Sequence, residues 1–291
     1  MEPAVARRMW LVGEPIHALT YFAQGSFDGW EAAGLRGFWR GYFATRAAPF
    51  GPVGPGLVTA TFFNFHPTMV ERALPSVWGL ASPADALAAR LDGMDRALRA
   101  VLGDDVVDIT PLAGTIDALR RGVDACPVAG RALFAANASL PWPEPAHLAL
   151  WHGLTCLREH RGDGHNAALV AAGIDGCQAH VLAGAAGGAP QAVTQPARGW
   201  SDEEWAAATE ALVARGVVDP EGGLTTDGRA LHGTIQARTD ELALAPWAHL
   251  GEEATQDVAA VLEPWARRIQ AAGVIRHPNP MSLPPLPDTT A

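Results

Sequence analysis

The chain has 291 residues and a mass of 30.5 kDa, enough for one large domain or two modest ones around a substantial core. Its 48% hydrophobic content excludes low-complexity disorder, and no uninterrupted apolar run approaches the roughly 18 residues of a membrane helix. All 21 positive side chains are arginine, which excludes Schiff-base, pyridoxal-phosphate and P-loop lysine chemistry, and the net charge of -10 disfavours a phosphate-backbone partner.

The first residues, MEPAVARRMWLVGEP, lack a secretory layout. Cys126, Cys156 and Cys177 are odd in number and show neither CxxC nor finger spacing, so no disulfide framework or structural zinc site is encoded. The expectation is a cytoplasmic protein with no membrane partner.

Along the chain, Glu14-Pro15-Ile16-His17 reads as a helix start. Its Glu-x-x-His spacing also occurs in carboxylate-bridged metal helices, but without a complementary ligand set capping ranks above metal binding. From Phe38, FWRGYFATRAAPFGPVGPGLVTA aligns without gaps with LWHGLTCLREHRGDGHNAALVAA from Leu150, pairing Trp39 with Trp151, Gly41 with Gly153 and Arg46 with Arg158. In FFNFHP, Asn64 and His66 interrupt an aromatic run. With Trp39 and Tyr42 nearby they would line an apolar pocket with polar anchors; the alternative is that His66 caps a helix begun by Pro67.

Ser82 and Asp85 start a predicted helix over 84–102, and Ser201 and Glu204 repeat that capping pattern before a helix over 203–215. Gly114-Thr-Ile and Gly233-Thr-Ile follow at the same spacing. Further helices are predicted over 112–124, 147–160 and 166–183. ASLPWPEP punctuates the connection between the copies. Residues 217–224 read as a small hairpin wing, with a reduced acidic wing, GDDVVDI, in the first copy. The expected fold is therefore mainly α: a tandem repeat of helical, winged-helix-like modules with short β-hairpin wings. The first copy is 1–138 and the second 139–275, packed as a pseudo-dimer within a monomer, and 276–291 is a proline-rich extended or disordered tail.

The segment ALVARGVVDPEGGLTTDGRALHGTIQARTDEL resembles the wing and following helix of the multiple-antibiotic-resistance (MarR) regulators, with their Leu-Thr-x-x-Gly-Arg turn. Over nearly the whole chain, EPIHALTYF, FWRGYFATRAAPFGPVGP, FFNFHP and LREHRGDGH resemble a largely uncharacterised actinobacterial family labelled helix-turn-helix. The resemblance implies winged-helix modules, and a MarR-like homodimer would place ligand pockets between its dimer helices and winged domains. Yet residues 201–240 hold eight acids against three arginines, the wrong sign for a DNA reader. Nucleic acid is accordingly a disfavoured partner on the sequence alone.

Polar side chains gather instead at 158–165. Gly162 and Gly164 would break the helix there and turn them into a junction. Three readings stand. His160, Asp163 and His165, with His152, could bind a divalent metal, although the spacing matches no strong motif. Alternatively His160 or His165 exchanges protons, oriented by Asp163 or Glu159, while Arg158 or Arg161 holds an anionic group. Or the charges form a salt-bridge network between the copies. His152, Cys156 and His160 share one helical face, but a Cys156-His160 nucleophile lacks any signature. Trp10, Trp30, Trp78, Trp200, Trp205, Trp247 and Trp265 read as packing residues. The leading expectation is a protein that binds or transforms a small organic molecule, with no cofactor specified. The runner-up is a ligand-responsive, MarR-like DNA-binding regulator, and the third is a structural or interaction protein.

Overall fold

The computed structural model describes residues 1–107 and 112–287. Among these there are fifteen α-helices, three short 3-10 helices and no strand. The first half contains α1 (Ala4–Phe22), α2 (Gln24–Ala32), α3 (Phe38–Ala47), α4 (Pro55–Phe62), α5 (Pro67–Glu71), α6 (Pro83–Leu102), α7 (Ala113–Asp124) and α8 (Ala132–Ala138). The second contains α9 (Ala146–Ala171), α10 (Gly176–Ala185), α11 (Gln191–Arg198), α12 (Asp202–Ala214), α13 (Thr226–Leu242), α14 (Ala245–Leu250) and α15 (Glu252–Ala271).

Local chemistry accounts for many boundaries. Ser82–Asp85 and Ser201–Glu204 form reciprocal capping boxes at the starts of α6 and α12. Asp175 and Gln178 do the same for α10. Pro49, Pro52 and Pro55 interrupt the stretch between α3 and α4, whereas the aligned stretch of α9 lacks proline and stays unbroken over 26 residues.

Three expectations are corrected. The hairpin wing reduces to one antiparallel bridge, Val218 to Leu224, because Gly222 and Gly223 make a tight turn held by Asp219 and leave no length for a ladder. Among the described residues no β-hairpin wing forms; of the first copy's wing, Asp104–Val107 is a 3-10 helix, and Asp108 and Ile109 lie outside the described residues. Second, 158–165 is no helix junction. Gly162 and Gly164 keep helical geometry inside α9, and a side chain on Gly164 would press on Arg131 Nη1 and Leu242 Cβ at 2.9 and 3.1 Å. Gly164 is thus a close-packing position rather than a hinge. Third, Glu14 and His17 start nothing, since α1 runs past them with Pro15 inside it.

The main core draws on α1, α6, α7, α9 and α15, so both halves share it. A second, aromatic core gathers Trp30, Tyr42, Phe43, Phe62 and Phe65. A third, smaller one joins the end of α9 to α10, α12 and Ile235 of α13. Among the described residues no single helix is long and apolar enough to cross a membrane; α9 with α10, bent by 95°, passes by length and composition together, and most of α9 is buried within the fold.

Residues 276–287 contain no helix or strand and are packed down on the fold. Leu283 and Leu286 are buried, Asn279 bonds both ways to Leu283, and Leu286 N donates to Gln270 Oε1. This strap also reaches α11 at both ends: Ala189 N donates to Ser282 Oγ, and Arg198 Nη2 to the Pro280 carbonyl.

Helices α2 and α6 approach closely through small residues. A Cβ on Gly29 would meet Ala89 O at 2.8 Å, and one on Gly93 would meet Ser26 Cα at 2.8 Å, both against backbone. Gly93→Ala should therefore destabilise the fold, the overpacking cost of about 1–3 kcal/mol outweighing alanine's helix-propensity advantage of up to about 1 kcal/mol. A thermal midpoint equal to or above that of the unmodified protein would refute the close approach.

Candidate functional site

The polar residues of α9 radiate in three directions. Toward α1 and α3, Glu159 accepts two hydrogen bonds from Arg46, from Nε at 3.1 Å and Nη2 at 3.2 Å. A further bond comes from Arg158 Nη1 at 2.7 Å. Arg158 Nε lies 3.4 Å from Glu14 Oε1, whose other oxygen accepts from Trp10 Nε1. Arg46 also donates to the Tyr42 hydroxyl and stacks 4.0 Å from the Phe62 ring centre. His17 lies beside, paired with Thr155 and Tyr21 and stacked on Trp151. Burial alone would raise the Glu159 carboxyl, but Arg158 and Arg46 outweigh it and hold it at about 2. Burial raises Glu14, against the opposing pull of Arg158.

Toward α8, Asp163 accepts the Phe134 amide proton at 2.9 Å, and burial raises its carboxyl to about 6. His160 is fully buried with its ring against Phe134, and neither ring nitrogen has a protein partner. Burial lowers its imidazole to about 3. Arg131 anchors this side, donating to the carbonyls of His160 and Leu242. His152, on the same face, packs edge-on to Trp142 with Cys156 Sγ 3.7 Å away. Burial lowers His152 to about 3 and raises the Cys156 thiol to about 12, far from a reactive thiolate.

Toward α13, Arg161 Nη2 donates to Asp240 at 2.6 Å and His165 Nδ1 pairs with Thr239 at 2.9 Å. His165 is lowered to about 4 by burial. His160, Asp163 and His165 are thus not brought together, and among the described residues no three His, Cys, Asp or Glu side chains converge as metal ligands.

Asn64 and His66 lie apart from this helix, at the docking of the first half onto α10–α12. The Asn64 carbonyl accepts from His180 Nε2 and Trp200 Nε1, both at 3.1 Å. His66 caps α5 through Thr68 N, pairs with Glu204 at 2.8 Å, and its amide donates to the Arg198 carbonyl. Trp39 and Tyr42 pack against Phe65 in the aromatic core. Glu14, His17, Arg46, Arg131 and Asp240 belong to the polar interior yet escaped sequence reasoning as a set, because no local spacing connects α1, α3, α9 and α13. The Arg46–Arg158 alignment was the one available signal.

The cavity beside Arg158 and Arg161 measures about 30 Å³ and is lined by Trp10, Glu14, Leu154 and Trp247. It has room for a single water, against the roughly 300 Å³ at which small-molecule pockets begin. A wider open groove of about 560 Å³, between the start of α1 and α14–α15, contains none of the predicted site residues.

The helix-turn-helix family model matches residues 6–276. The chain belongs to that helix-turn-helix family. No curated protein and no solved structure matches. Membership corrects the expectation of a small organic molecule as partner with nucleic acid disfavoured: the family points to a nucleic-acid-binding protein. The acidity behind that expectation is real: residues 201–240 hold eight acids against three arginines within a chain of net charge -10.

Two measurements test the buried network. Glu159→Gln strands two arginines in the interior and should cost about 3–5 kcal/mol in denaturant unfolding; a loss well under 1 kcal/mol would show that the ions are hydrated. The second concerns pH. His152, His160 and His165 stay neutral when folded but take up protons near 6.5 when unfolded. Their stability contribution is full above 6.5 and is lost as pH falls below it. Each should add about 1.4 kcal/mol per pH unit to the slope within that window. His160→Leu should flatten the slope, and an unchanged slope would mean that His160 protonates in the folded protein.

Proposed function

We propose that this protein is a DNA-binding regulator whose helix-turn-helix unit is α11, the turn at 199–201 and α12, supported by α10 and α13. The carrying observation is the family match over 6–276. The local structure agrees with it: Gly199 is left-handed at the turn, Ser201 caps α12, and α12 shares an apolar core with α10, the end of α9 and Ile235 of α13. In such a unit the second helix enters the major groove.

The MarR-like character of the second half rests on its Leu224-Thr-x-x-Gly228-Arg229 turn. Thr225 caps α13, Gly228 packs under the Val217 carbonyl where a side chain would collide, and Arg229 Nη1 donates to the Leu224 carbonyl. We read the two halves as diverged copies, supported by the alignment of α3 and α4 with α9. On this reading residues 158–165 act as the joint between the copies, and the protein is cytoplasmic.

The test is electrophoretic mobility of a mixed-sequence duplex several helical turns long. At low salt a retarded band is expected, weakening steeply as salt rises. Unretarded duplex at low salt, with protein shown to be folded by circular dichroism, overturns the assignment.

A further inference from the structure

The proposed reading helix is poorly charged for its task. The exposed side of α12 carries Asp202, Glu203 and Glu210. Its one arginine, Arg215, is occupied with the Ala172 and Gly173 carbonyls. Phosphate contact has to come from elsewhere on the surface.

Residues 33–80 differ from the rest of this acidic chain, with four arginines and a single acid, Glu71. Arg46 is consumed by Glu159. Arg36, Arg40 and Arg72 are exposed, and none has a carboxylate within ion-pair distance among the described residues. They flank an aromatic row in which Phe38, itself 39% exposed, meets Trp39 at 4.7 Å, and Trp39 meets Phe65 at 5.9 Å.

The segment that carries these arginines touches the proposed helix-turn-helix unit through α5 and the residues just before it. Arg36 and Arg40 bracket the start of α3, which packs on the 3-10 turn Ser76–Gly79. Arg72 ends α5, and Met69 of α5 lies against Gly199, where an added Cβ would sit 3.1 Å from the Met69 Cβ. The guanidinium of Arg72 therefore belongs to the helix that abuts the turn leading into α12. His66, just before α5, pairs with Glu204 of α12.

We propose that Arg36, Arg40 and Arg72 form the phosphate-contacting flank of the DNA interface, and that the exposed Phe38 edge belongs to the same contact surface. The proposal rests on the regulator reading and assigns its electrostatic anchor to the first half of the chain, not to α12. Guanidinium groups without internal carboxylate partners are free to displace counterions from a duplex, which is the sequence-independent part of DNA affinity. Under this arrangement α12 is steered into place by its neighbour's charge.

The experiment compares three proteins on the same mixed-sequence duplex across a salt series: the unmodified chain, a variant with Arg36→Ala, Arg40→Ala and Arg72→Ala, and a charge-matched control with Arg8→Ala, Arg121→Ala and Arg276→Ala. Losing three phosphate contacts should reduce the slope of log affinity against log salt by about 2 to 3, because each contact contributes about 0.9. The control should keep its slope. Binding by the unmodified chain with an unchanged slope in the first triple overturns the flank while sparing the regulator reading. Equal losses in both triples overturn it too, since only net charge would then matter. No binding by the unmodified chain removes both. Thermal melts of all three proteins separate these outcomes from unfolding.

Discussion

One carboxylate ties α3 and α1 to α9. Glu159 sits on the long helix α9, sealed from solvent, and is gripped from one side by Arg46 of α3 and from its own helix by Arg158. Among the described residues Arg46 has no other carboxylate partner, Arg158 has only Glu14 besides, and Glu159 could not stay ionised there without the two of them. Geometry follows from that mutual need. Arg46 fixes how α3 crosses α9, while Arg158 carries the constraint on to Glu14 of α1. The shared apolar core then packs around three helices whose relative placement the charges have already specified. Buried ion clusters of this kind contribute more to uniqueness than to stability, since a hydrophobic set of equal volume would cost less to desolvate.

The same α9 distributes its polar groups so that each neighbouring element receives its own tie. Asp163 binds the backbone of α8, and Arg161 with His165 binds α13. Small residues handle the crossings that charges do not. Gly29 and Gly93 let α2 and α6 touch through their backbones, and Gly164 makes space for Arg131 to bridge α9 and the end of α13. The helix that follows the proposed DNA-reading element is therefore coupled to the interior through side chains rather than through a pocket.

How much of this could be read beforehand differed by kind of signal. Helix starts with reciprocal caps, at Ser82 and Ser201, were legible because the information is local. The alignment of Arg46 with Arg158 was visible, and the two residues meet on one carboxylate, but the sequence could not show that they face each other. Gly162 and Gly164 misled because glycine permits a break without requiring one; whether the helix continues depends on Arg131 and Leu242, which are distant in sequence. For His66 the sequence left open a pocket or a cap on a helix begun by Pro67; it caps α5, and it also pairs with Glu204, a partner no spacing rule could supply. Charge counting described α12 correctly, but a count over a window or a whole chain cannot show where exposed arginines such as Arg36, Arg40 and Arg72 stand.

The strap at 276–287 has a consequence for how the protein matures. Its Pro280 and Ser282 provide the acceptors that hold α11 at its two ends, and they lie some eighty residues further along the chain than the helix they secure. During synthesis α11 and α12 leave the ribosome long before those acceptors exist. The proposed helix-turn-helix unit thus acquires this fastening only after some eighty further residues have been made, so α11 goes without that tie while α13 to α15 are being synthesised.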